Sequence, residues 1–249
     1  MLRENEIERL RQSIITTIAS PVIGSIEDYT WEAIFHYVKD IPLSDPALGR
    51  SKLLYDAVDT RTATGWSLKS LQLNSLTIVN TFLFVIARAD VIKKAAQLGF
   101  PDLTERSSPA ELGAAIVCHW NSKIISSKAA QSVTNSYEGI LLKTIRGYEY
   151  IYCEFPLDSF DPNTFSWAWT VDRVTGKSGA GLQGSVAGIP ELIWYKNQKQ
   201  LFRDRTIPLE AAHIRVERTR LTLDQYVQTV LLALQNQIIT QSLDSELEE

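Results

Sequence analysis

Residues 137–155 read YEGILLKTIRGYEYIYCEF, and this stretch most restricts what the chain can fold into. Two runs rich in Tyr, Ile and Leu meet at Arg146-Gly147, a pattern that predicts two strands and therefore a sheet. FSWAWTVD and ELIWYKNQKQLF read as two further strands, and the glycine-rich TGKSGAGLQGSVAG between them reads as a loop. Helical periodicity brackets this β region. A first helix covers Glu4 to Ile18 with Ile7, Leu10, Ile14 and Ile18 on one face. A second runs from Thr30, its N-cap, to Lys39, burying Trp31, Ile34, Phe35 and Val38. Leu76 to Gln97 reads as a long helix stopped by Gly99 and Pro101. At SSPAEL, Ser108, Pro109 and Glu111 form a capping box that opens another helix. Thr222 to Gln241 is the last, with Leu223, Val227, Val230 and Leu234 as its inner face. Helices around a central β region favour a mixed α/β (α+β) fold in one domain spanning 1–249.

At 249 residues the chain can bury a full core without staples. Its two cysteines, Cys118 and Cys153, stand in no metal-ligand or disulfide pattern, so a reducing, cytoplasmic setting is expected. The longest apolar run, LTIVNTFLFVIARA, is too short and polar to span a bilayer, and no secretory signal opens the chain. Net charge is −4, which does not advertise a nucleic-acid binder. The charge is unevenly spread, however. His119 to Arg220 holds 13 Lys and Arg against 10 Asp and Glu, while the last 29 residues hold five acids and no base. Such a basic stretch is compatible with phosphate binding.

Most chemistry-bearing patterns fail on spacing. His36, His119 and His213 are scattered, and no nucleophile elbow accompanies them. Gly176-Lys177-Ser178 lacks the earlier glycine of a phosphate-binding loop, because Val171 stands there, and strand-like sequence flanks it. The stretch LLYDAVDTRTATGWSLKSLQ, Leu53 to Gln72, is different, since it reads as a hairpin with charges on its strands. With a four-residue tip, Asp56 pairs with Lys69 and Val58 with Ser67, so Asp56, Ser67 and Lys69 share one face and Asp59 takes the other. A three-residue tip would bring Asp59 beside Ser67 instead. A carboxylate beside a lysine, with a second carboxylate nearby, suits metal-assisted phosphodiester hydrolysis, the alternative being a simple cross-strand ion pair.

On these residues, DAVDTRTATGWSLKS, the chain resembles the active-site hairpin of the PD-(D/E)xK nucleases, whose restriction enzymes carry an Asp strand followed by an x-Lys strand. The resemblance implies a restriction-endonuclease-like fold, a central mixed sheet flanked by helices, with the catalytic core in residues 30–100. It implies Mg²⁺ as cofactor, Asp56 as metal ligand, the Leu68 carbonyl as a further ligand, and Lys69 as the catalytic lysine. The family expects a carboxylate where this chain has Ser67. Ser67 itself, Asp59, or Glu32 on the preceding helix would have to complete the metal site.

The function so implied is sequence-specific cleavage of double-stranded DNA by a type II-like restriction endonuclease. A homodimer and a cognate DNA methyltransferase are the expected partners. The alternatives are a repair or recombination nuclease of the same fold and an inactive DNA-binding protein, the latter motivated by Ser67. Residues expected to touch DNA are Gln72 and Asn74 after the catalytic strand, then Lys177, Ser178, Gln183, Lys196, Asn197, Lys199 and Arg203 in the β-rich part, 136–220.

Overall fold

The computed structural model describes residues 1–43, 53–74, 81–171, 178–217 and 219–247, with the side chains of 178 and 238–247 left aside. In chain order these form α1 (Glu4–Ala19), α2 (Asp28–Lys39), β1 (Ala57–Asp59), β2 (Thr64–Leu73), β3 (Thr81–Arg88), α3 (Pro109–Gln131), β4 (Asn135–Thr144), β5 (Glu149–Pro156), β6 (Phe165–Val171), β7 (Ser178–Val186), β8 (Ile189–Tyr195), β9 (Gln200–Thr206), β10 (Ala212–Arg215) and α4 (Leu223–Leu247). The fold is mixed α+β, as expected, but it holds two five-stranded sheets among the described residues. The first, in the order β1-β2-β4-β5-β10, is mixed. Its centre is the parallel pair β2 and β4, in register from Thr64↔Asn135 to Leu73↔Thr144. Parallel neighbours need a crossover, here supplied by β3 and α3. The second sheet, β3-β9-β8-β7-β6, is antiparallel throughout.

The first sheet is covered on both faces. On one, Leu10, Ile14 and Ile18 of α1 and Trp31, Ile34 and Phe35 of α2 pack against Trp66, Leu68, Leu141 and Tyr152. The stripes read from the sequence are thus the buried ones. On the other face, Ile140, Leu142 and Ile151 meet the second sheet, through Phe82, Phe84, Leu192 and Leu201, and α3, through Leu112, Ile116 and Trp120. Alternation along β2 sends Trp66 and Leu68 to the helical side and Ser67 and Lys69 to the side of α3. No helix among the described residues is long and apolar enough to cross a membrane.

Several expected elements differ. The helix expected over Leu76–Gln97 is instead β3, then turns and a short 3₁₀ segment at Ala96–Leu98; residues 75–80 lie outside the described residues. Strand wins because Phe82, Phe84 and Ile86 alternate inward from an aromatic and β-branched run that β9 pairs. The glycine-rich segment is not a loop from Ser178 onward but β7. A Cβ on Gly184 would fall 2.7 Å from the Trp167 ring and one on Gly179 2.3 Å from the Thr170 hydroxyl, so glycine lets β6 side chains lie over this strand. ELIWYKNQKQLF is two strands, β8 and β9, reversed at Lys196–Lys199, where Lys199 adopts φ 51°. The capping box at Ser108 and Glu111 forms as expected. Thr30 is not the N-cap of α2: Glu27 is, and the Thr30 hydroxyl is buried without a partner. The expected inner face of α4 is exposed, with Leu223 57 %, Val227 42 %, Val230 38 % and Leu234 50 % accessible.

Candidate active site

The β1–β2 hairpin closes on a four-residue tip, Thr60 to Ala63, with Asp59↔Thr64, Val58↔Gly65 and Ala57↔Trp66 in register. Ala63 turns the chain with φ 48°. Asp56 stands just before the ladder, its amide donating to the Trp66 carbonyl at 2.8 Å, and Val58 faces Gly65 instead of the expected Ser67. That is a shift of two positions from the expected register. Ser67 and Lys69 keep one side of β2 by alternation, and Asp56 joins them there, its carboxylate 3.8 Å from the Lys69 ammonium.

On that face Asp56 Oδ2 accepts the Leu68 amide at 2.7 Å. The Lys69 ammonium lies 3.8 Å from the same oxygen, donates to the Leu68 carbonyl at 2.7 Å and to the Ser67 hydroxyl at 3.3 Å. Asp56 is 28 % exposed and Lys69 32 %, so both can be reached from solvent. Burial pushes the Asp56 carboxyl above its ordinary range, against the pull of Lys69, the Leu68 amide and Lys123; Asp28 adds to the upward push. A carboxylate held at a cost, within reach of solvent and with an ammonium as neighbour, is the pattern of a functional site more than of a surface ion pair.

Two helices hold this hairpin. From α2, Asp28 accepts the Ser70 amide at 3.2 Å, and His36 Nε2 meets the Asp56 carbonyl at 3.2 Å. Glu32 stands one turn from each on the same side of the helix and is half-buried. From α3, the Ser127 hydroxyl accepts the Leu54 amide at 3.2 Å, and the Gln131 side chain both accepts from the Tyr55 amide at 3.2 Å and donates to its carbonyl at 2.9 Å. The strand entering Asp56 is thereby pinned on both sides.

Asp59 takes no part. Its carboxylate accepts the Arg61 amide and guanidinium at 3.0 and 3.1 Å and the Thr62 hydroxyl at 3.1 Å, capping the hairpin tip on the other face. The carboxylate that does lie beside Ser67 comes from β4, in register and on the same face: Glu138. It is buried and engaged, with Arg203 at 3.4 Å and Arg205 at 3.9 Å; both arginines also meet Glu191, at 2.9 and 3.8 Å. Arg203, expected to touch DNA, is thus a buried member of a four-charge network, its guanidinium 4.8 Å from the Phe160 ring centre. Neither Glu138 nor Lys123 was among the expected site residues. Lys123 was legible only as the first of the series Lys123, Ser127, Gln131 on one face of α3.

The other expected DNA contacts scatter. Gln72 and Asn74 are exposed, and Gln72 projects by alternation to the α2 side of β2, opposite Asp56. Gln183 donates to Ser185 at 3.2 Å. Lys196 lies over Trp169 at 5.7 Å, Lys199 pairs with Asp90 at 2.7 Å, and Asn197 is exposed in their turn. Lys177 lies outside the described residues, as does the side chain of Ser178.

Among the described residues no cluster of three or more His, Cys, Asp and Glu side chains forms a metal cage. The oxygens around the Lys69 ammonium nonetheless fit a hard cation: the Asp56 carboxylate, the Leu68 carbonyl and the Ser67 hydroxyl already converge on a positive charge. Mg²⁺ is commonly held by one or two carboxylates together with waters and substrate phosphates, and Asp56 is one such carboxylate. No family model, no curated protein and no solved structure matches the chain.

Proposed function

We propose that this chain is a Mg²⁺-dependent endodeoxyribonuclease of the PD-(D/E)xK type that cuts double-stranded DNA at specific sites, as the cytoplasmic restriction enzyme of a restriction–modification system with a cognate methyltransferase. The observation that carries this reading is the convergence of Asp56, the Leu68 carbonyl and Ser67 on the Lys69 ammonium at the mouth of a two-stranded hairpin. Asp56 and Leu68 would hold the metal, with Glu32 or Ser67 completing its shell; Asp59 is withdrawn from that role by its bonds at the hairpin tip. When bound, Mg²⁺ polarises the scissile phosphoryl group and sharpens a water as nucleophile. Lys69, released from the Leu68 carbonyl, orients that water and offsets the charge that grows on the phosphorane oxygens.

Ser67 in place of a carboxylate supports a second reading, a DNA-binding protein without catalysis. One experiment separates the two. Supercoiled plasmid incubated with the protein and Mg²⁺ should be cut to discrete fragments, with no cutting in EDTA. Asp56→Ala and Lys69→Ala should each lower the rate by about 100-fold or more, in keeping with the loss of a metal ligand or a charge-stabilising group. Cutting that persists unchanged in both variants removes the assignment of this site. Wild-type protein that binds the plasmid and never cuts it supports the second reading, and activity confined to branched DNA moves the enzyme to repair or recombination.

A further inference from the structure

The hairpin face carrying Asp56 gathers positive charge. Lys69 and Lys123 both act electrostatically on Asp56 and on each other, and Lys94 acts on Lys123. Glu138, beside Ser67 on the neighbouring strand, is already engaged by Arg203 and Arg205, and Asp28 of α2 also acts on Asp56. Lys123 is half-buried and makes no ion pair or side-chain hydrogen bond among the described residues. Its height along the sheet follows from the backbone. α3 turns back at Ser132 into β4 and so runs antiparallel to β2, with Gln131 fastened to Tyr55 and Val133 against Gly65. Eight residues of helix back from Gln131 climb about 12 Å. Four residues of strand from Gly65 climb about 13 Å, which brings Lys123 level with Lys69. The intervening anchor, Ser127 on Leu54, fixes which side of α3 looks toward the hairpin, and Lys123 lies one turn along that side.

We infer that Lys123 is a phosphate-binding residue, which together with Lys69 holds a backbone phosphodiester of the nucleic acid beside Asp56, with Lys94 extending the positive rim. An anion between the two lysines would neutralise like charges that the fold otherwise holds near one another, and a phosphodiester brings one negative charge with two acceptor oxygens. Lys123 is a binding residue in this assignment and takes no part in moving protons. The inference rests on the proposed site being where nucleic acid lies, yet it is tested by binding and not by cutting.

The test is fluorescence anisotropy of a short labelled DNA duplex in EDTA, where cleavage is off, at several salt concentrations. Lys123→Met keeps the aliphatic stem and removes the charge. It should weaken binding about tenfold and reduce the slope of log affinity against log salt by about 0.9, the share of one phosphate contact, while Lys123→Arg stays near wild type. Lys123→Met should melt no lower than wild type, because burial and the ammonium groups of Lys69 and Lys94 together disfavour the charge it removes. Should it fail to fold, the rise in melting temperature of wild type on adding inorganic phosphate, compared with that of Lys123→Gln, gives the same reading. Affinity and salt slope of a folded Lys123→Met equal to wild type overturn the inference, as does a phosphate-induced rise undiminished in Lys123→Gln. A wild type that cuts DNA while Lys123→Met binds normally removes Lys123 alone. A wild type that binds DNA through Lys123 but never cuts removes the nuclease reading and leaves the phosphate site standing.

Discussion

Asp56 is a residue the fold holds against its own preference. Because burial raises its carboxyl above the ordinary value of 3.8, the folded chain takes up a proton over a pH range in which the unfolded chain has released it. Stability contributed by this group therefore falls as pH rises through that range and stays low above it. Asp56→Asn removes the charge while keeping an oxygen for the Leu68 amide. In EDTA it should unfold at higher urea than wild type at pH 7, and the difference should shrink below pH about 4, where the wild-type carboxyl is protonated in both states. A variant less stable than wild type at pH 7 would mean that the Lys69 contact outweighs burial. At this scale the sequence revealed that Asp56 and Lys69 share a face, since both stand on one hairpin, though not the register that aligns them. It did not reveal Lys123 or Glu138, because α3 and β4 reach the hairpin only through tertiary packing. Arg203 looked like a free base for the converse reason: nothing near it in sequence announces Glu138 across the sheets.

Among the elements, α3 depends on one close approach. A Cβ on Gly113 would fall 2.4 Å from the indole of Trp167 on β6, so helix and second sheet meet at a glycine. In an exposed helix interior, Gly→Ala stabilises by roughly 1 kcal/mol. Here the sign should reverse: Gly113→Ala should cost about 1–3 kcal/mol by overpacking, and combining it with Trp167→Leu should recover part of the loss. Chemical denaturation of the two single variants and the double variant checks this, and a stabilised Gly113→Ala would show that Trp167 moves aside freely. The stripes of α1 and α2 and the cap at Ser108 were legible because they are local. β3 and β7 were not. Both owe their conformation to neighbours, β3 to pairing with β9 and β7 to side chains of β6 that fill the space its glycines leave.

For the whole molecule, duplex cleavage on the proposed reading needs two active sites, and a second copy of the chain is the simplest source. α4 offers the surface: Leu223, Val227, Val230, Leu231, Leu232 and Leu234 are all at least 38 % exposed, and Asp224 is the only charged residue between 223 and 240. Light scattering should find a dimer. Val230→Glu with Leu234→Glu should convert it to monomer without unfolding the rest, leaving nicking of one strand where wild type cuts both. A wild type that is monomeric at micromolar concentration would remove this arrangement. The parallel pairing of β2 with β4 has a consequence of another kind. The two strands are roughly 70 residues apart in the chain, so at a synthesis rate of about 5–20 residues per second the finished hairpin waits several seconds for its partner. Through that interval the long edge of β2 has no partner from its own chain and lies bare to any other nascent strand. The part of the molecule made first is then also the part most open to mispairing, and the soluble fraction in cell-free synthesis should fall as the concentration of nascent chains rises.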